Sequence, residues 1–317
     1  MVIDCVPFFN ELDILKLRLG VLAPYVDRFI IEEATVTFSG EPKELCFEKN
    51  KDYFKEYLDK ITYIVVDDSP KGAASHEIDY FQKNRLVKGL ESVGATSDDI
   101  IIFGDVDEIP DPKVLQKIIK DFDKTKVYHL AQRNFYAFLN MEEKSGSLLS
   151  ITGDFKEIPD NERKWLGTKI TSIDNIPKEG IVRLRDLVKP EDPRSVRVSD
   201  GGWHFGYMGG KHQTNPVERI GVKVKAAAHQ EYNDREILAE TMDRLILGQD
   251  IFGRDARFER VEVDNSYPEY LLKNLDYYDY LVMPKITPLS RLYHKLDITA
   301  GRFCRKAYHK LLRMIKH

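Results

Sequence analysis

Apolar and polar positions follow two alternating patterns along the amino-terminal third of the chain. Four short apolar runs are rich in β-branched residues and span 2–6, 28–33, 61–66 and 100–103. Between them, apolar residues recur near the helical period, in the two sets Leu12, Leu15, Leu19, Leu22 and Ile78, Phe81, Leu86, Leu90. Strands that alternate with helices predict an α/β fold, with a mostly parallel central sheet and helices on both of its faces.

Polar residues follow each predicted strand. In chain order they are Pro7, Asn10 and Glu11, then Glu32 and Glu33, then Asp67 and Asp68, and finally Asp105 and Asp107. Ligands of such sheets bind beyond the carboxyl ends of the strands. Carboxylates gathered there repel one another unless a cation or the hydrogen-bond donors of a ribose and a base intervene. The pattern therefore predicts a nucleotide and metal site.

The last of these strand ends carries the clearest chemistry. Asp105 and Asp107 lie between Gly104 and Pro110, and in an extended chain side chains at i and i+2 share a face. Two converging carboxylates suit Mg²⁺ or Mn²⁺, which proteins hold with one or two carboxylates plus substrate phosphates. The alternative is a surface turn, in which Asp and Pro are common.

Composition indicates the cellular compartment, the state of the cysteines and the kind of partner to expect. The chain has 317 residues, of which 42% are hydrophobic, and it contains neither an apolar run of about 20 residues nor a signal-like start. We therefore expect a cytoplasmic protein. Cys5, Cys46 and Cys304 lack ligand-like spacing and are expected to be reduced. The net charge of −4 argues against a nucleic-acid partner.

Charge also divides the chain in two. Residues 289–317 carry a net charge of +7, whereas residues 1–288 carry −11. Pro284 and Pro288 suggest a linker between a catalytic domain, 1–288, and a basic tail, 289–317. On a helical wheel the tail from Phe303 onward has an apolar side opposite a basic side. Such a helix contacts an anionic membrane, or packs on the domain or on a second subunit of a homo-oligomer.

Several ordered motifs resemble those of one family. They lie at 4–13, 33–40, 81–85, 104–110, 202–205, 223–231 and 248–254. Together they are similar to glycosyltransferase family 17 over nearly the whole chain, up to about Pro288.

The resemblance implies a GT-A fold, a bound Mn²⁺ or Mg²⁺, and inversion at the anomeric carbon. It also implies a UDP-linked donor, with N-acetylglucosamine favoured, and a glycan acceptor that it does not identify. Two other classes remain open, a metal-dependent phosphohydrolase or nucleotidyltransferase and a non-catalytic glycan-binding protein on a transferase fold.

The family resemblance and the chemistry of the residues together suggest which residues bind the metal and which acts on the acceptor. Asp105 and Asp107 are expected to bind the metal, with His204 completing its coordination unless it is a core histidine. Asp200 is the preferred general base, since inversion needs a base for the acceptor hydroxyl, unless it only caps a turn. The competing acids are Asp154, Glu157, Asp186 and Glu191.

Donor-binding candidates are more numerous. Those predicted for the nucleotide sugar are Pro7, Asn10, Glu11, Glu33, Asp68, Arg85, Asp105, Lys225 and Arg254. Lys223 and His229 belong to the same family-like motifs, although most Lys and Arg are simply solvated. Trp203 ranks first for stacking on a sugar, ahead of Phe135, Tyr136 and Trp165, although large aromatics are more often core residues.

Overall fold

The computed structural model describes residues 1–148, 164–187 and 191–315, with side chains through Gly301. Within these residues one sheet contains β1 Val2–Pro7, β2 Arg28–Ala34, β3 Ile61–Val66, β4 Ile100–Phe103, β5 Glu108–Pro110, β6 Val127–Tyr136, β7 Met141–Glu143, β8 Trp165–Thr171, β9 Ser195–Gly206 and β10 Phe258–Arg260. The α-helices are α1 Leu12–Leu22, α2 Cys46–Lys49, α3 Ser75–Asn84, α4 Leu86–Ser92, α5 Pro112–Lys120, α6 Pro216–Ala226, α7 Arg235–Ala239, α8 Thr241–Leu247, α9 Glu269–Lys273 and α10 Pro288–Ile315.

The predicted α/β architecture is confirmed. Strands β4, β1, β2 and β3 are neighbours in that order, and all three pairs are parallel. Helix α1 packs its leucines against one face, beside Phe29 and Ile102, whereas Leu86 and Leu90 of α4 pack against the other. Short apolar runs and two helical patterns were therefore sufficient to locate the first four strands and the layers around them.

The second half of the sheet is mixed. Strand β8 pairs antiparallel with both β4 and β6, while β9 runs parallel to β6 and antiparallel to β5. Between Leu130 and Gln132 of β6, the facing strand β9 passes from Val198 to Gly202, so β9 carries a bulge there. Residues 199–201 have no partner in the β6 register, so the alternation of a regular strand does not apply to them.

One predicted helix is divided in the structure. Phe81 and Leu86 are five residues apart, which breaks the spacing of three or four that keeps apolar residues on one face. The chain accordingly forms α3 and α4, and Arg85 lies between them. The division leaves α3 free to point its Asp79 and Lys83 side chains at the carboxyl ends of the strands.

A buried ion pair supports the turn after β4. The guanidinium of Arg18 in α1 donates to both carboxylate oxygens of Asp4 in β1, at 2.6 and 2.7 Å. Its remaining amino group donates to the carbonyls of Asp105, at 3.1 Å, and Glu108, at 2.7 Å. Both side chains are completely buried. Arg18 therefore fixes the backbone that carries the two aspartates.

A second buried carboxylate joins distant parts of the chain. Asp13 of α1 accepts hydrogen bonds from the hydroxyls of Tyr53, Tyr277 and Tyr280 and from the backbone N–H of His212. These partners come from three separate segments of sequence. Asp13 thus ties the amino-terminal helix to the loop after β9 and to the segment after α9.

The basic tail begins as helix α10, which starts at Pro288. Its first half packs on α8, where His294 lies 2.5 Å from Asp243 and Ile298 is buried. The opposite side of this half exposes Leu289, Leu292, Tyr293 and Leu296. The wheel predicted from Phe303 onward involves side chains outside the described part. None of the described helices is long and apolar enough to cross a bilayer.

Candidate functional site

A cavity of about 430 Å³ lies at the carboxyl ends of β1, β2 and β4. It is within the size range of small-ligand sites. Residues from these strand ends, from α3 and from α6 line it, and Trp165 and His204 bring in β8 and β9. Strand β3 is at the sheet edge, and Asp67 and Asp68 at its end do not reach the cavity. The predicted convergence of strand ends is therefore observed for three of the four strands.

Asp105 and Asp107 both line the cavity, but they do not share partners. Residues 104–107 form a turn rather than an extended strand, closed by the hydrogen bond from the N–H of Glu108 to the carbonyl of Asp105 at 2.9 Å. The alternation of an extended chain therefore does not apply to them. In the structure Asp105 pairs with Lys83 and Arg185, whereas Asp107 pairs with Lys223.

Asp105 lies between two cations. Its carboxylate is 3.0 Å from the ammonium of Lys83 and 3.1 Å from the guanidinium of Arg185. Burial opposes ionisation of Asp105, but Arg185 and Lys83 outweigh it and hold the pKa of the carboxyl well below its ordinary value. Arg185 is also held by the buried Glu108, at 3.2 Å. Asp105 therefore remains ionised and keeps two cations aimed at the cavity.

Asp107 faces the other side of the cavity. The ammonium of Lys223 donates to it at 2.7 Å and also lies 3.2 Å from Glu11. Burial disfavours the charged ammonium, but Asp107 and Glu11 raise the pKa of Lys223 above its ordinary value. His204 approaches the same carboxylate, with its Nε2 3.7 Å from Oδ1 of Asp107.

The Asp107–His204 pair is the part of this site that fits a metal. Nδ1 of His204 lies 2.9 Å from Oδ1 of Asn134, so a proton on Nδ1 leaves the Nε2 lone pair directed toward Asp107 and the cavity. Asp105 is not part of this pair. Within the described residues no three His, Cys, Asp or Glu side chains are grouped closely enough to hold an ion. Mg²⁺ is usually held by one or two carboxylates plus substrate phosphates, and Asp107 supplies one such carboxylate.

Glu32 is the least satisfied acid of the cavity. It is only 2% exposed, and its Oε1 is buried without a hydrogen-bond partner. Burial raises the pKa of its carboxyl to about 8, against the opposing effect of Lys43 and Lys83. Its neighbour Glu33 points to the other face of the sheet and accepts four hydrogen bonds.

The predicted donor-binding residues divide into two groups. Pro7, Glu11, Asp105 and Arg254 line the cavity, but the others do not. Glu33 is fully used by Lys43, Tyr63 and two backbone N–H groups. Of the remaining ones, Asp68 and Arg85 pair with each other at 2.5 Å, and Lys225 is exposed on α6. Asn10 is not among the lining residues, although its neighbours Phe9 and Glu11 are.

Trp165, rather than the preferred Trp203, is the tryptophan that lines the cavity. Trp165 lines the cavity and stacks on His204, with ring centroids 4.6 Å apart and planes inclined by 19°. Its indole N–H donates to Glu108 at 2.8 Å. Trp203 is 4% exposed, belongs to the main hydrophobic core and donates to the carbonyl of Ser266. Neighbouring residues of a strand face opposite sides, so His204 and Trp203 cannot both face the cavity.

Asp200 lies in a different place from the other candidates. It lines a separate groove of about 870 Å³, which also contains Trp203, Arg133 and Tyr270. Its φ of 53° lies in the left-handed region, at the bulge of β9. The structure does not bring this acid to the cavity, so its position does not support its assignment as the base. The competing acids also lie elsewhere: Asp186 pairs with Arg183, Glu191 is exposed, and Asp154 and Glu157 are outside the described residues.

Several residues of the cavity were not selected from sequence, and three of them carry charge or could lose it close to the predicted site. Lys83 and Arg185 flank Asp105, and Glu32 lies at the end of β2. Lys83 is two residues from Arg85 within a motif that sequence analysis singled out. Residues two apart lie about 200° apart around a helix, so the motif could not indicate which of them faces the site. The available signal for Glu32 was its place at a strand end.

The amino-terminal half of the chain matches a known family. Residues 1–156 match the model of glycosyltransferase family 17. The resemblance indicated by the motifs is confirmed for this stretch. The motifs at 202–205, 223–231 and 248–254 lie outside it.

Individual relatives match a stretch of similar length. The β-1,4-mannosyl-glycoprotein 4-β-N-acetylglucosaminyltransferases of Rattus norvegicus and Homo sapiens are each 26% identical over 160 residues. The match covers 48% of this chain, 29% of the rat enzyme and 30% of the human enzyme. The chain therefore corresponds to less than a third of either relative.

Among solved structures, a mannosyltransferase from Pyrobaculum calidifontis in complex with GDP-Man and Mn²⁺ resembles this chain. It is 12% identical, covers 78% of this chain and 70% of its own length, and has a TM-score of 0.38. A likeness this distant assigns no role to any residue.

Proposed function

We propose that this protein is a metal-dependent, inverting glycosyltransferase of the GT-A type that takes its sugar from a UDP-linked donor, with N-acetylglucosamine favoured, and passes it to a glycan. The observation that carries the proposal is the cavity at the strand ends, where Lys83, Arg185 and Lys223 surround Asp105 and Asp107. The family match over residues 1–156 supports the transferase class.

Sugar transfer leaves a nucleoside diphosphate whose negative charge increases as the glycosidic bond breaks. Cations already fixed in place stabilise such charge most effectively, because they need not reorganise during the reaction. Lys83 and Arg185 are held by Asp105, and Lys223 is held by Asp107 and Glu11. We assign these three cations to the diphosphate.

A divalent ion bound by Asp107 and His204 would supply further charge to the same phosphates. The protein's part is to present the Nε2 lone pair of His204, which Asn134 orients and Trp165 covers. Lys223 shares Asp107 with that ion site and would still be held by Glu11, 3.2 Å away, with a cation on the carboxylate.

Turnover of nucleotide-sugar donors tests the proposal directly. The chain would be incubated with Mn²⁺ and each of UDP-GlcNAc, UDP-GalNAc, UDP-Gal, UDP-Glc and GDP-Man, and nucleoside diphosphate release would be measured. We expect turnover with a UDP-sugar, and UDP-GlcNAc first among them. Failure of all five donors to bind or turn over would contradict the transferase proposal, whereas turnover of GDP-Man alone would contradict only the donor.

Asp200→Asn is expected to leave kcat within about twofold of the wild type, because Asp200 lies outside the cavity. Loss of a positioned general base typically lowers the rate by about 10²–10⁴. Steady-state transfer assays with a saturating UDP-sugar distinguish these outcomes. A loss in that larger range would return the role of base to Asp200 and would mean that the groove holds the acceptor.

We also propose that the tail holds a cytoplasmic enzyme against an anionic membrane. The support is the exposed stripe Leu289, Leu292, Tyr293 and Leu296 on α10, followed by the basic residues that give 289–317 its charge of +7. Apolar burial and attraction to acidic headgroups add together in such helices.

Sedimentation with anionic vesicles tests the tail. Replacing Leu289, Leu292 and Leu296 with serine is expected to abolish pelleting at low salt, and raising the salt should do the same to the wild type because exposed charges are screened. Val65→Ser, at another exposed apolar position, is the control and should pellet normally. Wild-type protein that stays in the supernatant at low salt would contradict the proposal. Because α10 packs on α8, deletion of the helix is a poorer test, since it should also lower the melting temperature.

A further inference from the structure

The donor cavity has two chemically different ends. Its cationic end holds Lys83, Arg185 and Lys223, as described above. Its other end, at β2, is lined by Glu32, Val36 and the half-buried aromatic rings of Phe9 and Phe38. The ammonium groups of Lys83 and Lys43 lie 5.4 Å from the Phe38 ring and 5.7 Å from the Phe9 ring, so the two ends adjoin. Flat aromatic walls beside a polar side chain suit a planar heterocycle with hydrogen-bonding edges. A nucleotide whose diphosphate lies at the first end would place its base at the second.

Glu32 is the polar group available at this second end. Lys43 is engaged by Glu33 and by the carbonyl of Ala34, and Lys83 is engaged by Asp79 and Asp105. No cation lies within 4 Å of Glu32 among the described residues, and its Oε1 has no hydrogen-bond partner. A buried carboxyl in this situation is favoured in its neutral form. A buried polar atom without a partner on a cavity wall also indicates a ligand atom that would satisfy it.

A neutral carboxyl group has one O–H donor and one carbonyl acceptor side by side. The imide edge of uracil offers the complementary pair, an N–H donor beside a carbonyl acceptor. We propose that Glu32 is the residue that selects a uridine nucleotide, by pairing its neutral carboxyl group with the imide edge of the base. This inference rests on the proposed function, because it names the group that recognises the donor of that reaction.

The pairing depends on protonation. Ionised Glu32 keeps its acceptors but loses its donor, and its charge then faces the uracil carbonyl oxygen. The charged groups that face Glu32 are Lys43 after β2, Lys83 and Asp79 on α3, and Glu33 on its own strand. The pKa of about 8 in the free protein means that the neutral form dominates at pH 7 and is the minor form at pH 9. Affinity for uridine nucleotides should therefore fall as the pH rises through this value.

The affinity for a guanine nucleotide is not expected to fall as the pH rises, so GDP serves as the comparison ligand. Its Watson–Crick edge carries two adjacent N–H donors, which an ionised carboxylate can accept together. Ionisation of Glu32 should therefore weaken UDP binding and not GDP binding. A general effect of pH on the cations of the cavity would instead weaken both nucleotides in parallel.

Calorimetry of UDP and GDP binding in the presence of Mg²⁺, at about pH 7 and about pH 9, tests the inference on the full chain. For the wild type we expect the Kd of UDP to rise about tenfold between these values, since about one tenth of Glu32 stays neutral one unit above its pKa. Glu32→Gln keeps a donor and an acceptor in a neutral group. It should bind UDP within about threefold of the wild type at pH 7 and lose most of the pH dependence, which also corrects for any titration of the base itself.

Glu32→Ala should bind UDP at least about tenfold more weakly than the wild type at pH 7, and thermal melting would establish that it is folded. Equal UDP affinity at both pH values in the wild type, or wild-type affinity in Glu32→Ala, would overturn the role of Glu32 and leave the transferase proposal standing. Parallel weakening of UDP and GDP would overturn it as well. Failure of the wild type to bind UDP at either pH would instead contradict the proposed donor.

Discussion

Asp107→Asn is expected to lower kcat/KM for sugar transfer by at least about 100-fold while leaving the protein folded. A neutral amide is a poorer ligand for a hard cation than a carboxylate, and loss of one group that stabilises developing negative charge, here the cation, commonly has an effect of about 10²–10³. The fold should survive because Lys223 keeps Glu11 as a partner at 3.2 Å. Transfer assays with a metal titration, accompanied by thermal melting, would measure both effects.

Asp68→Asn is the matched control for this experiment. Asp68 also follows a strand of the parallel sheet, but it lies outside the cavity and is half exposed, so its variant should retain normal turnover. Undiminished activity of Asp107→Asn, or of the wild type in EDTA, would remove the metal from the proposal.

Arg18→Met is expected to lower the free energy of unfolding by about 3–5 kcal/mol, the cost of leaving one member of a buried ion pair unpaired. Here the charge left behind is Asp4, which is completely buried. The carbonyls of Asp105 and Glu108 also lose their donor. Chemical denaturation at neutral pH measures the effect, and transfer activity should fall as well because the turn that carries Asp107 loses its support.

Lys124→Met provides the comparison, since the pair of Lys124 and Asp98 is largely exposed and such pairs add little to stability. The double variant Arg18→Met with Asp4→Asn should recover part of the loss, because it removes the buried charge along with its partner. If Arg18→Met were no more destabilising than Lys124→Met, the buried pair would not be what holds the turn.

The parallel half of the fold was predictable because its signals are local. Each of the first four strands is a short apolar run, and the leucines of α1 repeat at helical spacing, so neither required knowledge of distant residues. The break at Arg85 was also visible in principle, in the five-residue gap between Phe81 and Leu86. The antiparallel strands β8 and β9 gave no comparable signal, because their partners lie far away in sequence.

Sequence analysis located the segments that form the site, but it could not determine which of their side chains point into the cavity. Asp107, His204 and Glu11 reach the cavity as expected, yet Arg85 and Lys225 were preferred to Lys83 and Lys223, their neighbours two positions away. Two positions along a helix reverse the face, and only the packing of α3 and α6 decides which face meets the cavity.

The direction of the side chains on strand β9 was also not predictable from sequence. Asp200 and His204 would share a face of a regular strand, but Asp200 lies within the bulge, between Val198 and Gly202, so that relation does not apply to it. A pattern read from sequence assumes regular geometry, and this segment departs from it where the candidate base lies.

The order of strands in the sheet also bears on how the chain can be divided. The family match ends at residue 156, but β4 has β8 as its neighbour, and β6 lies between β8 and β9. A fragment that stopped at residue 156 would leave the backbone hydrogen-bonding groups along β4 and β6 unpaired, and strand edges of that kind recruit other chains. The limit of detectable similarity is therefore not a cleavage point, and a shortened protein that kept only the recognisable half should aggregate rather than fold.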